Sequence, residues 1–169
     1  MPRCDLDAHF SQIDVLISEA NAIVPPSSYK NTKFRADLAG LLVVAIAATY
    51  ETCVKEILFE YADSKHNAFG AFARKNYQRL NSKIRVNDLT YYCELFEPSI
   101  RINFKSRLAI RKRNLLDRVG INIETSYEQI LTWRHDFAHA RIRNTTIEEA
   151  ARTHSAGKRV LYVFDTVFT

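Results

Sequence analysis

Apolar residues recur along most of the chain at three- and four-residue spacing, and in order they predict a succession of helices. Asp5 to Ile23 places His9 or Phe10, Ile13, Leu16, Ile17 and Ala20 on one face, giving a first amphipathic helix that ends before Pro25-Pro26-Ser27-Ser28. From about Lys33 to Asp63 runs a long helix, apolar almost all round in its first half and carrying Glu51, Lys55, Glu56 and Glu60 in its second. That is the pattern of a central core helix. Its apolar run Leu38 to Ala48, 11 residues between Asp37 and Glu51, falls short of the roughly 20 that span a bilayer. Ala68 to Leu80 reads as a short basic helix, Asp88 to Glu97 as one capped by Asn87 and stopped by Pro98, and Ser99 to Val119 as one ended by Gly120. Thr125 and Ser126, with Glu128 and Gln129 three residues on, read as overlapping capping boxes that start a helix reaching Arg143. Asn144 or Thr145 with Glu148 starts another, and Gly157 interrupts it. The last segment, RVLYVFDTVF, has strand propensity but no partner strand, so a terminal helix is expected. The fold class is all-α, and the chain reads as one domain over 1–169.

Composition supports that class and narrows the setting. Four glycines and four prolines are too few for the frequent turns of an all-β chain. The three cysteines, Cys4, Cys53 and Cys93, have no CxxC pairing, so neither a disulfide framework nor a cysteine zinc site is indicated. A polar, acidic N-terminus carries no signal-peptide core, and a reducing cytoplasm is the expected location. Net charge is +5 and unevenly spread: residues 1–66 carry 6 Lys/Arg against 9 Asp/Glu, residues 67–118 carry 12 against 4, and residues 119–169 carry 6 against 6. A basic middle third attracts polyphosphates, and RNA is the partner expected at Arg107, Arg111, Lys112 and Arg113, with Arg141 and Arg143 beyond the motif described next, although a merely solvated surface gives the same excess. Aromatic and basic residues interleave from Phe69 to Arg79, as on RNA-stacking surfaces, although core aromatics beside solvated cations give the same pattern.

The chemistry concentrates in TSYEQILTWRHDFAHARIR, Thr125 to Arg143. At about 100° per residue, Trp133, Phe137, Ile130, Tyr127, Ala138 and Leu131 form a broad apolar arc with Arg134 in its middle. A guanidinium there needs a carboxylate, carbonyls or a phosphate. Glu51 of the core helix is one partner to weigh for it, set against a local bond from Glu51 to Lys55 at i, i+4. His135 lies at the border of the arc, and His139 stacks on it one turn later. Arg134 and His139 stand roughly 140° apart on an ideal helix. They converge on one small ligand only if the arginine wraps round or a second chain contributes, which favours a site shared between subunits of a dimer, flanked by Trp133 and Phe137.

An arginine and a histidine suit metal-free phosphodiester transfer in RNA. A neutral imidazole takes the proton of a 2′-hydroxyl, and a guanidinium neutralises charge growing on the phosphorus oxygens. Neither a metal nor any other cofactor is needed. Arg134-His-Asp-Phe-Ala-His139 resembles the Arg-x4–6-His motif of HEPN domains, with a polar residue, His135, after the arginine. LAGLLVVAIAATYE, ending in Glu51, is similar to the early core helix of the RiboL-PSP-HEPN branch, and LLDRVGINI, Leu115 to Ile123, to the connector before its motif helix. Phe69 to Pro98 looks like an added helical segment. The resemblance implies an up-and-down helical bundle dimerised with motif helices face to face, and an endoribonuclease of the kind found among toxins and antiphage effectors, open to restraint by an antitoxin. Arg134 and His139 would then be catalytic, with His135, Asp136 and Glu51 in support. One alternative is a non-catalytic dimeric module that binds RNA, a nucleotide or a protein. The other is a metal-dependent phosphohydrolase: His135 and His139 have zinc-pair spacing, and His135-Asp136 resembles the adjacent pair of HD-type enzymes, with His66, His154 or Asp165 as further ligands.

Overall fold

The computed structural model describes residues 3–27 and 29–169, with backbone alone at 3, 4 and 29; Ser28 of the predicted break and the Cys4 thiol therefore lie outside the described residues. Those residues form eight α-helices and one 3-10 turn, with no strand among them: α1 (Arg3–Ile23), the turn Tyr29–Asn31, α2 (Thr32–Lys65), α3 (Asn67–Tyr77), α4 (Val86–Phe96), α5 (Pro98–Val119), α6 (Ile123–Ala140), α7 (Ile147–Gly157) and α8 (Arg159–Phe168). The final segment is thus helical despite its strand propensity.

The 34-residue α2 is the axis, touching α1, α3, α6, α7 and α8. It is buried on Leu42, Val43, Ile46, Tyr50, Val54, Ile57 and Leu58. Among the described residues it is also the one helix long and apolar enough to cross a membrane, with mean hydropathy 1.6 over 18 residues, so the apolar stretch is longer than the run Leu38 to Ala48 suggests. Half of that window is buried against the other helices, which is the state of a core helix. One hydrophobic cluster draws side chains from α1, α2, α4, α5, α6, α7 and α8. At its centre Tyr50 and Tyr127 stack at 5.0 Å, and the buried Tyr127 hydroxyl donates to the Ile84 carbonyl at 2.8 Å.

Local chemistry sets the helix ends, not always where the pattern placed them. Pro98 opens α5, where its missing N–H costs nothing, and Gly120 ends it at φ 69°. Helix α4 starts earlier than expected. Asn87 lies inside it, and Arg85 is the cap, its backbone N–H donating to Asp88 at 2.9 Å. Helix α7 is capped by Thr146, whose hydroxyl accepts from the Glu149 N–H, one or two residues after the predicted start.

The segment Phe69 to Pro98 is integral to the bundle. Its Leu80, Ile84 and Leu89 are buried, while Phe69 and Tyr77 join an aromatic cluster with Tyr61, Tyr92, Phe96 and Phe168. Arg74 pairs with Asp63, and Phe72 alone of these three α3 aromatics is exposed. Core aromatics with solvated or paired cations is therefore the reading that holds for α3, and the stacking surface is not formed.

Candidate functional site

Helix α6 begins three residues before Thr125 and Ser126 could cap it. Asn122 is the N-cap, its side chain accepting from the N–H groups of Glu124 and Thr125. Glu128 is not part of a capping box, because it is drawn into a tertiary joint, taking the Arg85 guanidinium at 2.5 Å and the Val86 N–H at 2.8 Å. At the other end α6 stops at Ala140, short of Arg143. Arg141 adopts the left-handed conformation (φ 50°, ψ 32°), with its N–H on the Phe137 carbonyl at 3.0 Å. For a non-glycine residue that conformation costs about 1 kcal/mol or more.

Besides the Tyr50–Tyr127 stack, the motif helix meets α2 at a notch nearer the motif. Phe137 lies against Gly40, where a Cβ would meet the ring at 2.1 Å. One turn of α2 earlier, Asp37 accepts from Arg143 at 2.5 Å, which holds the Asp37 carboxyl below the usual carboxylate range. Lys33 and Arg141 add to the same field. Asp136 accepts from Asn144 at 2.9 Å, closing the turn after the helix. Lys33, Asp37, Gly40 and Asn144 were not legible as parts of this site, since only tertiary contact brings them to it.

Of the six motif positions, His135 and His139 are exposed with rings 4.6 Å apart, Arg134, Asp136 and Phe137 are half-buried, and Ala138 is exposed. Glu51 does not reach Arg134; it pairs with Lys55 at 3.1 Å, the nearer of the two candidate partners. Arg134 makes no ion pair or hydrogen bond among the described residues. Trp133, expected at a subunit interface, is 7% exposed inside its own chain, and Phe137 is engaged with Gly40. Exposed apolar groups next in sequence to these contacts are Leu41 beside Gly40 and Ile142 beside Arg143, with Phe34 one turn of α2 before Asp37.

The RNA candidates separate in the same way. Lys112 is bonded to Glu124 at 2.8 Å and Arg143 to Asp37, so both cations are largely neutralised, whereas Arg107, Arg111, Arg113 and Arg141 are exposed and have no ion-pair partner among the described residues.

The metal ligands weighed from the sequence are not brought together among the described residues. Among the described residues no three His, Cys, Asp or Glu side chains come together as an ion would require. His66 instead caps α3, its Nδ1 accepting from the Ala68 N–H. His154 is 1% exposed with Nδ1 on the Tyr50 hydroxyl at 3.1 Å, and Asp165 is buried in α8. Cys53 and Cys93 are buried free thiols, each pushed up to about 12 by burial, so neither is a nucleophile near neutral pH.

The RiboL-PSP-HEPN family model matches this all-α chain over residues 8–169. The chain belongs to the RiboL-PSP-HEPN family. The match runs through Phe69 to Pro98 as well, in keeping with the buried residues of that segment. No curated protein and no solved structure matches the chain. HEPN domains are commonly ribonucleases, which makes an RNA-related module the coarse reading of this bundle.

Proposed function

We propose that this HEPN chain is a metal-independent endoribonuclease acting as a homodimer, with His139 as base and Arg134 as phosphate clamp. The supporting observation is Arg134 itself. Nearby Arg35 and Arg143 both have carboxylate partners, while Arg134 is half-buried on the apolar arc with none. A partly desolvated guanidinium without a carboxylate is suited to an incoming phosphodiester, which it grips through two parallel N–H donors. The exposed His139 imidazole takes the 2′-hydroxyl proton as the 2′-oxygen attacks the adjacent phosphorus. The P–O5′ bond breaks, the leaving 5′-oxygen takes up a proton, and a 2′,3′-cyclic phosphate remains.

His135, its ring tilted against that of His139, supports it from one side, and Asp136 with Asn144 fixes the turn beyond it. Because Arg134 and His139 diverge by roughly 140° on one helix, the pair that acts on one phosphate is assembled from two chains across a two-fold axis. Phe34, Leu41 and Ile142 supply the apolar fringe. Arg141 is held in a strained conformation beside the motif, a place where strain commonly serves a site. A cytoplasmic effector role, as a toxin or antiphage nuclease under the control of a partner protein, fits the free thiols and the family.

The test is cleavage of mixed RNA by the purified dimer in EDTA, with the ends identified. His139→Ala and Arg134→Ala are each expected to lower the rate by about a hundredfold or more. Since Glu51 is paired with Lys55, Arg134→Ala strands no buried carboxylate, and its melting temperature should stay close to that of the parent. Loss of cleavage in EDTA, or products without a cyclic phosphate, refutes the mechanism. A strict monomer would refute the site shared between two chains.

A further inference from the structure

Helices α5 and α8 lie side by side, joined by Phe104 on Phe164, and leave a groove of about 920 Å³ between them. Arg107, Arg111 and Asn114 of α5 form one wall, and Lys158, Arg159 and Tyr162 the other. A second pocket of about 620 Å³ shares Arg111, Asn114 and Arg159 and extends the groove to Arg118. None of these five cations has an ion-pair partner among the described residues. The Lys158 ammonium lies 5.4 Å above the Phe10 ring. Two carboxylates oppose them, Asp117 at the Arg118 end and Asp165, which is 5% exposed. Five cations against two carboxylates, in a walled groove that focuses their field, make a surface for a polyanion.

Length selects the kind of polyanion. Arg107 to Arg118 covers about 16 Å of helix, more than one mononucleotide fills, and the cations follow one another along that line, as an extended strand with a phosphate at each nucleotide requires. The groove is also remote from the motif. Gly157, just before Lys158, backs onto Tyr127, where a Cβ would lie 3.0 Å from the Tyr127 Cα. Tyr127 is about 18 Å along α6 from His139.

We infer that the α5–α8 groove is a second RNA-binding site, which grips the phosphate backbone of a single strand several nucleotides away from the bond being cut. The inference rests on RNA being the ligand of the proposed ribonuclease. Sequence proximity suggested Lys112 and Arg113 as companions of Arg107 and Arg111; the groove replaces them with Lys158, Arg159 and Arg118. Lys112 is committed to Glu124, and Arg113 stands on the face of α5 opposite its buried Phe104.

The experiment measures binding of a fluorescent 12-nucleotide single-stranded RNA to the full-length His139→Ala protein by anisotropy across a salt series. Arg111→Gln/Arg159→Gln is compared with the charge-matched Lys75→Gln/Arg79→Gln, which alters exposed cations of α3 and the turn after it. The groove variant is expected to bind about tenfold more weakly near 100 mM salt, with the salt slope smaller by about 1.4, at roughly 0.7 per lost phosphate contact. Equal affinity and slope for the two variants overturn the groove site while leaving the ribonuclease reading intact. Weakened binding by the groove variant, together with undiminished cleavage by His139→Ala in the otherwise unaltered chain, would uphold the groove and remove the proposed mechanism. If poly-glutamate binds the groove as tightly as RNA at equal salt, an acidic protein is its partner and the inference fails.

Discussion

Gly40→Ala probes the joint that carries the motif helix. The added methyl would sit 2.1 Å from Cε2 of Phe137, 2.2 Å from Cδ2 and 2.6 Å from Cγ. Ordinary contact begins near 3.4 Å, so one side must retreat by about 1.3 Å. The α2 backbone is locked by its own helical hydrogen bonds and by the core around Val43 and Leu42, so Phe137 moves, and the last turn of α6 moves with it. Overpacking of this kind costs about 1–3 kcal/mol, which for a domain of this size lowers the melting temperature by roughly 3–10 °C. A helix interior gains up to about 1 kcal/mol when alanine replaces glycine, so the lower end of that range is the safer expectation. Thermal melting gives the first readout. Hydrogen exchange at the Arg141 and Ile142 amides, bonded to Phe137 and Asp136, gives the second and should show lost protection. Phe137→Leu in the same chain restores room, so the double variant should recover part of the loss, a coupling that two independent sites would not show. If Gly40→Ala melts at or above the parent temperature with the two amides equally protected, the notch does not hold the motif helix.

Two further outcomes follow from buried or strained groups. His154 is held neutral by burial, with Lys158 adding to the effect, and its pKa falls from 6.5 to about 3. The unfolded chain therefore binds a proton that the folded chain refuses between those values, and stability falls as pH drops from 6.5 towards 3, with no contribution above. At about 1.36 kcal/mol per unit, the parent should lose about 2–3 kcal/mol more than His154→Gln between pH 7 and 4.5 in urea titrations; equal losses would contradict the burial argument. Arg141→Gly relieves a left-handed arginine and should raise the melting temperature by a few degrees, about 1 kcal/mol, while weakening RNA binding at the motif. Stabilisation without any loss of RNA affinity would make the strain at Arg141 purely structural.

How far the sequence could be read depended on whether the decisive contact was local. The helices were legible because each has its own periodicity, and Gly120 and Pro98 ended or opened theirs as chain-local rules require. Glu128 misled because its three-residue spacing from Thr125 imitates a capping box, while a distant loop supplies the better partners Arg85 and Val86. Trp133 looked like an interface residue on the wheel, yet α6 is clasped by α2 and α7 broadly enough to bury it within one chain. Glu51 was ambiguous in the sequence between a neighbour one turn away and a cation 83 positions on, and the local pairing with Lys55 prevailed. A partly exposed pair of that kind loses less to desolvation, whereas a buried Glu–Arg pair must recover a cost of several kcal/mol per ion.

Net charge proved less informative than the pairing of individual charges. The chain spends carboxylates where elements meet: Glu148 on Arg35, Asp63 on Arg74, Glu128 on Arg85, Glu94 on Arg101, Glu124 on Lys112 and Asp37 on Arg143. Each pair ties two helices, or a helix and a loop, and takes its arginine or lysine out of competition for an external anion. Of the 12 cations in residues 67–118, Arg74, Arg85, Arg101 and Lys112 are paired, three of them with carboxylates from outside that segment, while Arg107, Arg111 and Arg118 of α5 line a groove against α8, whose first turn adds Arg159 after Lys158 instead of an acid. Arg134 is the matching case on α6, a half-buried cation to which no joint assigns a carboxylate. Structural salt bridges would have been the economical use of all these residues if the fold were their purpose. That no such bridge reaches Arg134 or the groove cations among the described residues is what the proposed phosphate-bearing ligand requires of both places.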